Sequence, residues 1–76
     1  MEQRLTRKHI PPTIKAWKAE VDGVRRFLAE LKGLRQVHGD AWAVAQKRYY
    51  RARLRDLMNN PPAGVDIVRN TYIIRG

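Results

Sequence analysis

The stretch TIKAWKAEVDGVRRFLAELKGLRQVHGD, residues 13–40, decides the fold. Within it Ile14, Trp17, Val21, Val24, Leu28 and Leu31 recur at alternating spacings of three and four. A chain turning about 100° per residue holds such positions on one side, so the spacing predicts a helix with an apolar stripe roughly five turns long. Phe27 and Leu34 widen the stripe late, while Lys15, Lys18, Arg25, Lys32 and Arg35 take the other faces. Pro11 and Pro12 fit a helix start, where a missing N–H does no harm, and Thr13 is a suitable cap. Gly39 after His38 fits the left-handed stop that ends helices. The interior irregularity is Gly23, which costs about 1 kcal/mol relative to alanine and leaves a kink near Asp22 and Gly23, or two shorter helices, as alternatives.

Asp40 follows at once and is expected to cap a second helix running to about Met58. So short a connection makes neighbouring helices antiparallel. On the second helix, Ala43, Tyr50, Leu54 and Leu57 fall on one face with Trp42 and Tyr49 beside them, the face expected to pack on the first helix. Lys47, Arg48, Arg51 and Arg55 fall within roughly 100° of one another on the other side. That basic stripe is the candidate site for phosphates or for an acidic protein surface, because cations repeating at each turn are held in register by the helix.

Outward from the hairpin, residues 1–12 read as a basic arm carrying Arg4, Arg7 and Lys8. Residues 59–76 begin with NNPPAG, which interrupts regular structure, and continue as VDIVRNTYIIRG, rich in β-branched and aromatic residues. This reads as an extended tail that packs on the hairpin or, by preference, pairs with another chain, with Tyr72 and Arg75 as contacts. The fold class expected is all-α: an antiparallel helical hairpin, about 13–37 and 40–58, with an extended N-terminal arm and an extended C-terminal tail.

At 76 residues without cysteine, disulfides, thiolate metal sites and cysteine nucleophiles are excluded, which fits a reducing compartment. Core burial in so short a chain supplies only about 3 to 5 kcal/mol, and a partner is the staple this composition leaves. His9 and His38 have no carboxylate at ligand spacing, so no metal or other cofactor is expected. No serine is present, no glycine-rich phosphate loop precedes a helix, and two packed helices offer no pocket for acid–base work. An enzyme is not expected. No secretory-type apolar run opens the chain and no apolar stretch is long enough to span a bilayer, which makes an intracellular protein the expectation.

Sixteen Lys and Arg against seven Asp and Glu give a net charge of +9, which points to an acidic partner. The charge is spread, +2 on the arm, +3 on each helix and +1 on the tail, so no single sharp groove is implied. The aromatic residues Trp17, Trp42, Tyr49 and Tyr50 are expected in the core rather than stacked on bases, and Tyr72 is the one expected to be exposed.

Residues 24–60, VRRFLAELKGLRQVHGDAWAVAQKRYYRARLRDLMNN, resemble the LYR-motif family of small basic mitochondrial proteins. Val24-Arg25-Arg26 stands where that family carries Leu-Tyr-Arg, with Leu28 and Leu31 at its following apolar positions; of the tripeptide, Arg26 alone matches. The chain also departs from the family in having NNPPAG and a tail in place of a third helix. The resemblance implies a matrix-side mitochondrial accessory subunit, of a respiratory-chain or ATP synthase type complex, with the acidic acyl carrier protein among its partners. Three readings follow. The first is a non-catalytic accessory subunit that stabilises its neighbours through the hairpin and both arms. The second is a ribosomal or other RNA-associated protein binding phosphates through Lys47, Arg48, Arg51 and Arg55. The third, ranked last, is a small DNA-binding module, since Gln46 is almost the sole base-reading side chain on the second helix.

Overall fold

The computed structural model describes residues 10–75. Helix α1 spans Ile14–His38 and helix α2 spans Asp40–Asn59. Strands β1, Val65–Val68, and β2, Thr71–Ile74, follow.

Helix α1 starts where its cap is strongest. Thr13 has extended backbone, and its side-chain oxygen accepts the Ala16 N–H at 3.2 Å. The helix runs unbroken through Gly23, so it does not divide there into two shorter helices. It ends at Gly39, whose φ of 95° is reached without penalty only by glycine and whose N–H bonds back to the Arg35 carbonyl at 2.8 Å. Asp40 does not cap the second helix. It is the first residue of α2 and pairs with Arg35 at 2.8 Å, tying the two helices across their one-residue joint.

Contacts match early residues of α1 with late residues of α2. Trp17 reaches Leu57, Glu20 reaches Arg53, Phe27 lies against Tyr50, and Arg35 meets Asp40. The helices are therefore antiparallel along their whole length. Of the six seam residues of α1, Trp17, Val21, Val24 and Leu31 are buried, while Ile14 and Leu28 are partly buried beside them. Trp17, Val21 and Leu57 are wholly enclosed, and each such side chain is worth about 1.5 to 3 kcal/mol relative to its exposed state. Trp17 is the junction of the core. Its indole N–H donates to the Leu57 carbonyl at 2.8 Å, and its ring meets Tyr72 edge to face with centroids 5.0 Å apart.

The last segment corrects the expected class. The tail is a two-stranded antiparallel sheet, with Val65 opposite Ile74 and Val68 opposite Thr71, so the architecture is a helical hairpin capped by a β-hairpin. Alternation explains it. Val65, Ile67 and Tyr72 share the inner face and pack on the core, while Asp66, Val68, Thr71 and Ile73 share the outer one. The strands turn through Arg69 and Asn70, with Arg69 at a φ of 58°. Two further ties fix the sheet: the Arg25 guanidinium donates to the Asn70 carbonyl, and the Arg75 N–H donates to the Gly64 carbonyl at 2.7 Å. The strands thus satisfy one another, and pairing with a second chain is not required to order them. Gly64 is placed by necessity. Its φ is 93°, and a Cβ there would sit 3.1 Å from Ile14 Cδ1.

Candidate docking face for an acidic partner

Helix α2 divides its cations by partner. Arg53 lies toward α1, its side chain only 11% exposed, and its Nε donates to a Glu20 carboxylate oxygen at 3.2 Å. It is a structural cation. Lys47, Arg48, Arg51 and Arg55 are all exposed, and among the described residues none of the four forms an ion pair or side-chain hydrogen bond. They rise along one side of α2, so the positive field is continuous over roughly two turns and no described residue pairs with it.

The remaining sequence-derived candidates do not join this stripe. Arg4, Arg7 and Lys8 lie outside the described residues. Tyr72 was expected to be exposed and to contact a partner; instead it is half-buried, with its ring on Trp17 and its hydroxyl donating to Asp22 at 2.9 Å. A tyrosine on the inner face of a hairpin covers the core, which is why that expectation fails. Arg75 is exposed but paired with Asp66 across the sheet. Arg26, the one residue matching the tripeptide, is exposed on α1.

Lys18, Asp22, Arg25 and Tyr72 form a local electrostatic knot between α1 and β2. The Lys18 ammonium, 3.0 Å from Asp22, holds the Asp22 carboxyl below the usual 3.8, first through its hydrogen bond; the Tyr72 hydroxyl and the charges of Lys18 and Arg25 add to this, and burial opposes it. The same hydrogen bond and charge of Asp22 raise Lys18 above 10.5. Burial, followed by the Asp22 hydrogen bond and charge, raises Tyr72 above 10.0. The Arg25 guanidinium lies 5.9 Å from the Tyr72 ring centroid. Every member has a partner within the knot, so this cluster fastens the β-hairpin.

The aromatics divide likewise. Trp42 is half-buried and stacks on His38 at the helical joint, with centroids 4.3 Å apart. Tyr49 corrects the expected core face: it is 62% exposed, edge-on to Tyr50 at 4.9 Å. By helical rotation Trp42 and Tyr49 lie on the side of α2 away from Lys47, Arg51 and Arg55. No aromatic ring interleaves with the basic stripe.

A groove of about 410 Å³ opens between the helices near their joint, lined by both α1 and α2. Its members Lys32, Val44 and Lys47 come from both helices, and Lys47 belongs to the stripe as well. Sequence reading placed Lys32 on a polar face of α1 without assigning it a site, and passed over Val44. A trace was legible, because Val44 falls by rotation among the cations of α2, an apolar residue where none is needed for the core.

Among the described residues no three metal-ligating side chains gather, and no helix is long and apolar enough to cross a membrane. No protein-family model, curated protein or solved structure matches the chain.

Proposed function

We propose that this chain is a non-catalytic accessory subunit of a larger protein assembly, docking on an acidic neighbour through Lys47, Arg48, Arg51 and Arg55 of α2. The observation that carries the reading is the division of cations on that helix. Arg53 is committed inward to Glu20, whereas the other four stand exposed with no anionic partner among the described residues. A rigid, unneutralised row of this kind favours contact with a fixed set of carboxylates, since bidentate arginine contacts add geometry to charge.

Protein is preferred to RNA because the aromatics that would stack on bases are absent from the stripe, and readers of single-stranded RNA combine the two. A matrix-side mitochondrial setting, with acyl carrier protein as the acidic neighbour, rests on the resemblance carried by Arg26 and is proposed on that basis alone. The test is capture on the tagged full chain from a cell extract, with and without nuclease. A fixed set of proteins that survives nuclease supports the reading. Loss of every partner on nuclease treatment overturns it in favour of an RNA-associated protein.

A further inference from the structure

The β-hairpin covers only half of one face of the helical hairpin. On α1 that face is the row Lys18, Asp22, Arg25, Ala29 and Lys32, each three or four residues from the last. Asp22 is held by Tyr72 and Arg25 by Asn70, at the tip of the β-hairpin. One and two turns farther, at Ala29 and Lys32, the row has passed the sheet, and the groove of about 410 Å³ begins. Its floor is aliphatic, formed by Leu28, Leu31, Ala43 and Val44, with Val44 55% exposed. Of the four charged residues that line it, Arg35 and Asp40 pair with each other at the joint, which leaves Lys32 on the α1 wall and Lys47 on the α2 wall. Neither makes an ion pair among the described residues.

We infer that this groove seats a short amphipathic helix of a partner protein, two to three turns long, with an apolar stripe flanked on both sides by carboxylates. The inference rests on the reading of the chain as a docking subunit and names the partner's chemistry. Three features specify the occupant. The aliphatic floor offers no stacking platform, so a nucleic acid would leave it unused. The cations stand on opposite walls, so the occupant must present anions on both flanks of its apolar stripe. A helix does that, whereas an extended strand alternates its side chains and would aim its carboxylates away from the floor. Finally, the occupant is neither a second copy nor the chain's own arm. Two chains of +9 repel, and residues 1–9 carry Arg4, Arg7 and Lys8 against Glu2 alone, the same sign as the walls. Arg51, one turn beyond Lys47, extends the contact into the basic stripe, so groove and stripe are one surface.

The test uses the full chain and two fluorescein-labelled, lactam-stapled helical peptides of about 14 residues, stapled because free helices of that length are marginal. One carries leucines at helical spacing flanked by glutamates; the other has the same glutamates with the leucines replaced by glutamine. By fluorescence anisotropy the leucine peptide is expected to bind about tenfold or more tightly, the difference that seating one or two apolar side chains confers. Val44→Glu, and Lys32→Glu with Lys47→Glu, should each abolish that preference. Lys15→Glu, a charge-reversal control on an exposed part of α1 outside the groove, should keep it. Circular dichroism establishes that each variant is folded, and the exposure of all four positions favours this. Equal binding of the two peptides overturns the inference, as does equal weakening by the groove variants and Lys15→Glu. Tighter binding of an A-form RNA duplex through Lys32 and Lys47 also overturns it. If the peptides fail to discriminate while nuclease-resistant partners are still captured from extract, the groove assignment alone falls. If no such partner is captured, the docking reading itself falls.

Discussion

Replacing Trp17 by phenylalanine tests whether one side chain joins all the elements of the fold. Trp17 is fully enclosed, bonded to the Leu57 carbonyl at the end of α2 and in edge contact with Tyr72 of β2. Phenylalanine preserves an aromatic ring but removes the indole N–H, a loss of about 1 kcal/mol. The Leu57 carbonyl retains a bond from the Asn60 N–H at 3.3 Å, which limits the penalty for an unpaired acceptor. The smaller ring leaves unfilled space in the core, adding about 1 to 2 kcal/mol. Together these amount to about 2 to 3 kcal/mol, out of a total stability on the order of 4 to 11 kcal/mol for a chain of this size. At 4 to 8 °C per kcal/mol for a small domain, Tm falls by roughly 10 to 20 °C. Far-UV circular dichroism reads the helices. Trp42, left as the sole indole, reports by fluorescence from the far end of the hairpin, so coincident transitions would show that the joint and the Trp17 end unfold together. Trp17→Ala costs about 3 to 5 kcal/mol and should lower Tm further than Trp17→Phe does. A Trp17→Phe shift below about 4 °C would refute the keystone role.

Glycines give predictions of opposite sign. Gly64→Ala combines a positive φ with a 3.1 Å contact to Ile14 and should destabilise by about 1 to 2 kcal/mol in urea unfolding. Gly33→Ala has helical backbone and open space around the added methyl, so it should stabilise by about 0.5 to 1 kcal/mol in the same assay. Asp22, whose carboxyl is depressed in the fold, contributes stability that is intact above pH 3.8 and is lost as pH falls through its lowered value. Asp22→Asn should therefore flatten the acid limb of a Tm-versus-pH curve; an unchanged limb contradicts the Lys18–Asp22–Tyr72 knot. Tyr72, raised in the fold, contributes stability that is present below pH 10.0 and lost as pH rises toward its folded value. Tyr72→Phe should weaken the alkaline decline, leaving the part due to Lys18.

The helical hairpin was legible because its signals agree with one another: the seam of α1, the Thr13 cap and the Gly39 stop each locate the same boundaries. The β-hairpin was obscured for a physical reason. Val65–Val68 and Thr71–Ile74 are separated by two residues, the spacing of a tight hairpin, but the loop is Arg69-Asn70 and lacks the glycine that usually supplies positive φ. Read as one run, the segment needs a foreign strand; folded on itself, it supplies its own partner and lays Val65 and Tyr72 on Trp17. That reduces the expected dependence of folding on a partner. The stripe at Lys47, Arg48, Arg51 and Arg55 was readable from rotation alone, whereas the commitment of Arg53 to Glu20 depends on how the helices pair and could not be. The groove is of the same kind, since it depends on how the helices pair, and no residue of the β-hairpin lines it.

The most direct test of the docking account compares wild type with Arg48→Glu, Arg51→Glu and Arg55→Glu combined, each as the tagged full chain, in nuclease-treated extract. All three positions are exposed, so the variant should keep the wild-type helical spectrum and thermal transition. The account predicts that the wild type retains a defined set of proteins and that the folded variant loses it, with Lys15→Glu retaining it. A folded variant that holds the same proteins as the wild type would contradict the claim that this face of α2 is where the chain docks.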